Sequence, residues 1–420
     1  MRTPKRTWRF HFGGHPSRVP EGWVRLDAPL DNELLHDGPP QVGLTLAGLR
    51  EAIGRQPPAR VEDLFTIAVA VYTADRRAPR RRDGKPRRFE LNIPVSEPDT
   101  WNRPQSRALL CALLGGLSGD EWTVQFRQDV NPPPWQSQLL PAEVEAVALF
   151  SGGLDSFCHA GLLRPASKVV LVSHGLGPNL RERKRELRAA LGGETVMSAE
   201  FQVRINAVPG TEREPHPRTR ALLLLAAGVL VCAANGVDTL HCPENGLLAL
   251  HPAKAPLWSQ SATPIPPMTV HLANALLDSL DVDTRVVNPY AELTKGEVCE
   301  RAVDAGWRRS LLGRTITCVN PDKKSSGRFG NCGYCRHCLV RHAALVRVGG
   351  DLTEYRDVYP PEIPLMAPGP HDKDLRALRA WLGGELTAEQ LAPLPPEADA
   401  ARALAVVERA RLELADIYRV

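Results

Sequence analysis

No apolar run in this chain approaches the roughly 18 residues from which a membrane span is read. The longest, Ala221 to Ala234, is 14 residues and suits a buried core helix. The opening stretch MRTPKRTWRFHFGG is basic, with no apolar core and no small-residue cleavage site behind one, which predicts no export. A strong charge bias is also missing: 52 Lys and Arg less 48 Asp and Glu leave +4 over 420 residues. Nucleic-acid binding does not follow from so small an excess. No internal repeat is present. The arrangement G-x-x-x-x-G-K-[ST] is absent too, so the usual β,γ-cleaving phosphate loop is not indicated.

What is present is the composition of an ordinary globular protein, 43% hydrophobic and 24% charged. A chain of 420 residues is long for one domain and reads as a large core with appended parts. The cysteines number nine, an odd count, and three crowd together at Cys332, Cys335 and Cys338. This pattern predicts metal ligation in a reducing compartment, the cytoplasm.

Residues 1–140 carry short β-like runs at Arg9 to Phe12 and Glu90 to Val95 and a helical pattern at Gln105 to Leu117, predicting a mixed α+β accessory domain. Within it, Asp75 to Arg88 holds eight basic and two acidic residues with Pro79, Gly84 and Pro86 as breakers. It reads as an exposed loop, either a solvated tip or a contact for an anionic partner such as nucleic acid or an acidic protein. Pro132, Pro133 and Pro134 precede a change of pattern near residue 140.

From 141 to 345, apolar runs at Ala146 to Phe150, Val169 to Ser173 and Asp238 to Cys242 alternate with helical segments at Asp155 to Leu163, Leu180 to Leu191 and Arg218 to Ala234. That alternation predicts an α/β fold with a doubly wound parallel sheet. Residues 346–420 read as a helical C-terminal extension, with a Pro-rich connection at Pro360 to Pro370.

In such a sheet, ligands sit beyond the carboxyl ends of strands, and Phe150 ends the first strand of this core. The next residues, Ser151, Gly152, Gly153, Leu154, Asp155 and Ser156, therefore fall where a ligand would be. Two glycines permit a tight turn and close approach to a phosphate, the following helix directs free amides at it, and two serines add hydroxyls. Thr294, Lys295, Gly296, Glu297 fits a capping box that would project Lys295 from a helix N-terminus toward phosphate. Glu244 and Asn245 also follow a strand, in a Pro-Glu-Asn-Gly turn. Arg218 and Arg220 precede the long apolar helix. His159, His174, His241 and His251 carry no spacing that marks any of them as a general base.

Thirteen residues separate Cys318 from the run Cys332-x-x-Cys335-x-x-Cys338. Four thiolates close a tetrahedral zinc site, and Gly333 eases the turn that brings three of them together. An iron-sulfur cluster takes the same four ligands.

Ser151 to Ser156 resembles the S-G-G-x-D-S signature of PP-loop ATP pyrophosphatases, the adenine nucleotide alpha hydrolase-like enzymes, and Leu293 to Glu297 resembles their L-T-K-x-E element. Taken in order with Cys318, Cys332, Cys335, Cys338 and Arg341, these motifs resemble those of QueC, the 7-cyano-7-deazaguanine synthase family, over roughly residues 145 to 345. The resemblance implies an ATP-dependent C–N ligase that cleaves ATP to AMP and pyrophosphate while adenylating a deazaguanine carboxylate. It implies phosphate binding by Ser151 to Ser156 and Lys295, a catalytic set of Ser151, Asp155 and Lys295, and Mg2+ positioned with the help of Asp155. It further implies a structural Zn2+ on Cys318, Cys332, Cys335 and Cys338, and Arg341 near the substrate, beside Arg220, Glu244 and Asn245.

In the biosynthetic enzyme the loop lies close to the N-terminus, whereas here about 145 residues precede it. The layout resembles the QueC-like proteins of bacterial anti-phage defence, of the QatC type in the Qat system. That likeness implies protein partners from a defence operon and conjugation of the activated acid to one of them. A nucleotide-binding scaffold of a defence complex, and an enzyme modifying a tRNA or DNA base through Arg76 to Arg88, are the alternative readings.

Overall fold

The computed structural model describes residues 7–14, 17–27, 42–80, 84–129, 135, 143–164, 168–175, 177–206, 212–215, 217–250, 265–322, 327–363, 369 and 371–418, with the backbone also at 16, 323, 364 and 365. His251, the proline triplet Pro132 to Pro134 and the boundary near residue 140 lie outside the described residues.

The first third of the chain runs β1 (Thr7–Phe12), β2 (Val24–Leu26), β3 (Val42–Thr45), α1 (Ala47–Glu51), α2 (Ala59–Arg77), β4 (Arg88–Val95), α3 (Pro98–Asn102), α4 (Pro104–Ser118) and β5 (Glu121–Gln128). Next come β6 (Ala146–Leu149), α5 (Leu154–Leu163), β7 (Val169–His174), α6 (Pro178–Leu191), β8 (Val196–Ile205), α7 (Arg220–Asn235), β9 (Thr239–His241) and α8 (Gly246–Leu250). They are followed by α9 (Pro267–Ser279), β10 (Arg285–Val287), α10 (Lys295–Asp304) and α11 (Arg309–Gly313). The chain closes with β11 (Asp322–Lys323), β12 (Arg328–Phe329), α12 (Arg336–Arg347), α13 (Lys373–Gly383) and α14 (Ala400–Tyr418).

The central sheet has six strands in the order β10-β9-β6-β7-β8-β3, all parallel except β3, which runs antiparallel to β8. Strands buried on both faces need apolar residues at every position. Accordingly β6, Ala-Val-Ala-Leu, is buried throughout. Ala146 and Ala148 face the layer of α5, α6, α10 and α12, whereas Val147 and Leu149 face the layer built from α7, α2 and α9. The protein is therefore α/β, with a mostly parallel sheet covered by helices on both sides.

The winding places the site. From β6 the chain moves outward through β7 to β8, then returns to add β9 on the other flank of β6. The direction of winding reverses between β6 and β9, and the crevice at that reversal is where open α/β sheets bind ligands.

The N-terminal residues are built into this arrangement. A parallel four-stranded sheet, β2-β1-β4-β5, forms beside it. Val42 to Thr45 adds an edge strand to the central sheet against Gln202 to Ile205, and one hydrophobic core runs from Phe10 and Phe12 through α2 into α7 and β9. On the opposite side α8, α12, α13 and α14 share a second core around Leu339, Leu378 and Val407.

The basic run is the expected exposed loop only in part: Lys85 and Arg88 are exposed, residues 81–83 lie outside the described residues, and the remainder is built into the fold. Arg76 and Arg77 finish α2, and Arg87 is buried on two carboxylates, at 2.6 Å from Asp75 and 2.7 Å from Asp120. Arg80 grips Asp120 through both Nη atoms at 3.0 and 2.8 Å. Asp120, which pairs with both Arg80 and Arg87, lies 33 residues beyond Arg87, so a local count of charge leaves it out; Glu214 accepts from the backbone N of Arg80.

Candidate functional site

Ser151 follows β6 after Phe150, and the segment turns through Gly152 at φ +78°. Only glycine takes that angle without strain. A Cβ at Gly152 would also press within 3.0 Å of Lys184 Cγ. The Ser151 hydroxyl folds inward, accepting from Gly153 N at 3.1 Å and lying 3.1 Å from Ser156 Oγ. Ser156 Oγ in turn donates to Gly153 O at 3.1 Å. Helix α5 then starts at Leu154, so the amides of its first turn, which have no partners within the helix, point at the crevice.

Asp155 is 7% exposed and occupied on both oxygens. Lys295 Nζ donates to Oδ1 at 2.5 Å; Asn245 donates to Oδ2 from its Nδ2 at 2.7 Å and its backbone N at 3.3 Å. Lys295 is held there by a complete capping box, Thr294 Oγ1 accepting from Glu297 N at 3.1 Å and Glu297 Oε2 from Thr294 N at 2.9 Å. Helix α14 braces it, through Arg409 on Glu297 at 2.8 Å and Glu413 on Thr294 and Gly296. Three residues distant in sequence thus meet at the switch point.

Beside them a narrow cavity of about 80 Å³ is lined by Phe150, Ser151, Ser156, His174, Lys184, Arg220 and Glu244 among apolar neighbours. Glu244 accepts from Ile265 N at 2.8 Å, and burial pushes its carboxyl up to about 8. Burial also pulls the Lys184 ammonium down to about 8, although Glu200 stands 4.0 Å away. His174 is neutral: burial takes it to about 3, and its Nε2 accepts from Val203 N at 3.2 Å. The buried Nε of Arg220 has no partner among the described residues. The cavity therefore offers cations and a near-neutral carboxyl in a mostly apolar slot, the equipment for a flat anionic ligand.

Ser151 through Ser156, Lys295, Glu244, Asn245 and Arg220 come together at this crevice. Arg341, expected near the substrate, does not. It is 0% exposed, and its guanidinium donates to Thr353 Oγ1, Thr315 Oγ1, Thr317 Oγ1, Leu312 O and Gly313 O. Five N–H groups meeting five acceptors leave no donor for a ligand. Arg341 instead fixes the 312–317 loop, whose Ile316 N donates to Gly152 O at 2.9 Å. Arg218 donates to Ser118 O at 3.2 Å, outside the cavity. His159 and His241 pack against each other at 4.9 Å between ring centroids and do not line it.

Sequence reasoning missed Lys184. It lies in the charge-rich run RERKREL, yet shares the buried face of α6 with Leu187 and Leu191, at spacings of three and seven. A lysine on an apolar helix face was the available signal.

The sulfurs of Cys318, Cys332, Cys335 and Cys338 all lie within 4.8 Å of one another, with pairs at 3.5, 3.8 and 4.0 Å. Tetrahedral thiolates about 2.3 Å from one zinc ion are about 3.8 Å apart, and disulfide sulfurs only about 2 Å. The four cysteines are placed to hold a single metal ion. Gly333, at φ +94°, lets the run turn, since a Cβ there would fall 1.6 Å from Val358 O. Asn331 ties this cluster to the 312–317 loop: its Oδ1 accepts from Thr317 N and Cys318 N at 2.9 and 3.1 Å, and its Nδ2 donates to Thr315 O at 2.9 Å.

The fold and site define an α/β protein with a crevice at its switch point and four cysteines placed to hold a metal ion. No model of a known protein family matches the sequence, and no curated protein matches it. Among the described residues no helix is long and apolar enough to cross a membrane.

Proposed function

We propose that this chain is an ATP-dependent adenylating enzyme of the PP-loop type, akin to QueC, which activates a 7-deazaguanine-type carboxylate and passes it to an amine. One observation carries the reading. The Ser151 to Ser156 loop lies at the switch point with Asp155 joined to Lys295 and Asn245, which are 140 and 90 residues away.

In this reading the amides of the first turn of α5, with Ser151 and Ser156, bind the pyrophosphate end of ATP. Lys295 shifts from Asp155 toward phosphate charge as it develops. A carboxylate oxygen of the acid attacks the α-phosphorus, the bond to the β-phosphate oxygen breaks, and pyrophosphate leaves. The amine nitrogen then attacks the acyl carbon, and AMP departs with the electron pair of the C–O bond. Arg220 and Lys184 face the acid's carboxylate, and the apolar walls fit a planar ring. Magnesium, when bound, would neutralise phosphate charge, and Asp155 would help hold it: among the described residues its Oδ1 accepts one hydrogen bond, from Lys295, which leaves a lone pair. Zinc on the four cysteines is structural in this reading, holding the 315–318 loop against Gly152.

Against a base-modifying role stands the internal neutralisation of Arg80 and Arg87 by Asp75 and Asp120. The test is pyrophosphate release from Mg·ATP and 7-carboxy-7-deazaguanine. Release by the wild type that falls at least ~10-fold in Ser151→Ala, a loss typical of one phosphate or oxyanion donor, supports the reading. No release, with Ser151→Ala indistinguishable, rejects it.

A further inference from the structure

Helix α7 delivers Arg220 to the cavity, yet its own N-terminus is not capped in the usual way. The N-cap residue, Thr219, makes no side-chain hydrogen bond to the helix it begins. Its N–H and its Oγ1–H both donate instead to Asp75 Oδ2, each at 3.0 Å. Asp75 belongs to α2, 144 residues earlier. A carboxylate from another element thus takes the place of a local cap and meets the positive end of the α7 dipole.

That carboxylate cannot drift. Its Oδ1 accepts from Arg87 Nη2 at 2.6 Å, Arg87 is held by Asp120 at 2.7 Å, and Asp120 is gripped by Arg80. Asp75 and Thr219 are both 0% exposed, and Arg87 and Asp120 are each 5% exposed. Removing any charge would leave its partner buried and uncompensated, so the network has one arrangement. Arg220 is the very next residue after Thr219. A slip of one residue rotates an α-helix by about 100°, which would swing Arg220 off the cavity wall. The same helix α2 touches the wall at a second place, where Tyr72 meets the edge of His174 with ring centroids 5.8 Å apart.

We propose that Asp75, acting through Thr219, is a positioning residue that sets the start of α7 and thereby aims Arg220 into the cavity. The N-terminal part of the chain is, in this account, a component of the binding site. The inference rests on the reading that Arg220 meets an anion there.

The full-length chain is used throughout. Hydrogen exchange on the ligand-free protein, read by mass spectrometry, should show residues 219–223 of Thr219→Val exchanging at least ~10-fold faster than wild type, with β6 and β9 unchanged. Calorimetry with 7-carboxy-7-deazaguanine should show Arg220→Ala binding about 10-fold or more weakly and Thr219→Val about 3- to 10-fold more weakly. The double variant should bind no more weakly than Arg220→Ala alone, because the two changes act through one contact. Thr219→Val keeps the side-chain volume and folds even where Asp75→Asn does not; where Asp75→Asn folds, it should repeat the pattern. Additive effects overturn the proposal, as does wild-type affinity in Thr219→Val or in Arg220→Ala. A wild type that binds the acid yet releases no pyrophosphate from Mg·ATP rejects adenylation, while the binding cycle still decides the positioning role.

Discussion

The Lys295 ammonium lies 2.5 Å from the Asp155 carboxylate, both nearly buried, and so ties the first turn of α10 to the first turn of α5. Breaking a buried pair by deleting one partner costs about 3–5 kcal/mol, because the remaining charge stays desolvated. Lys295→Met should lower unfolding stability by that amount in urea titration and abolish pyrophosphate release. Adding Asp155→Asn should recover part of the stability and none of the activity. Equal stability in the single and double variants would show that the pair is not coupled.

The cysteine quartet makes a compositional prediction. Elemental analysis of purified protein should find about one zinc per chain, and the protein should be colourless, since one tetrahedral ion satisfies sulfurs this close. A brown protein with iron instead would reject the zinc assignment. Stripping the metal, or Cys335→Ser, should lower the melting temperature and raise hydrogen exchange at 315–318 and 151–153 together. Asn331 and the Ile316 N to Gly152 O bond are the physical link. Exposure at 315–318 alone, with 151–153 still protected, would break that link.

Gly152→Ala should fold and yet lose phosphate binding. The substitution strains a backbone at φ +78° and pushes a methyl toward Lys184 Cγ at 3.0 Å, costing roughly 1–3 kcal/mol by the usual measure of forced positive φ. The Mg·ATP affinity should drop at least ~10-fold, since a cradle of amides depends on backbone placement. Unchanged affinity would mean that the loop does not bind phosphate.

These features differ in how openly the sequence displays them. The serines and glycines of Ser151 to Ser156, the Thr294 capping box and the cysteine spacing are local patterns, and each is folded by its own neighbours. Most of the parallel strands were legible because burial on both faces demands an uninterrupted apolar run, as in Ala146 to Leu149. The edge strand at Val42 to Thr45 was not, because its partner Gln202 to Ile205 is more than 150 residues away and four residues carry little pattern. Arg87 and Arg341 illustrate a second limit. A charged residue reads as solvated until its acceptors are known, and theirs are distant carboxylates and the carbonyl and hydroxyl oxygens of a loop.

Glu244 gives a prediction in pH. Burial raises its folded carboxyl to about 8 from an ordinary 4.5, with Asp155 adding repulsion and Ile265 N and Lys295 opposing. Between those values the folded chain holds one proton there that the unfolded chain has released. Stability from this group is therefore fully present below pH 4.5 and is lost as pH rises toward 8, with a slope of at most about 1.4 kcal/mol per pH unit. Glu244→Gln keeps the shape and removes the titration. Its stability relative to wild type should rise steadily from pH 5 to pH 8, reading unfolding midpoints at matched ionic strength. A difference that stays flat across that range would place the carboxyl in solvent contact, and with it remove Glu244 from the floor of the cavity. The affinity for the acid should fall above pH 8 more steeply in the wild type than in Glu244→Gln, because Lys184 loses its charge over the same range in both.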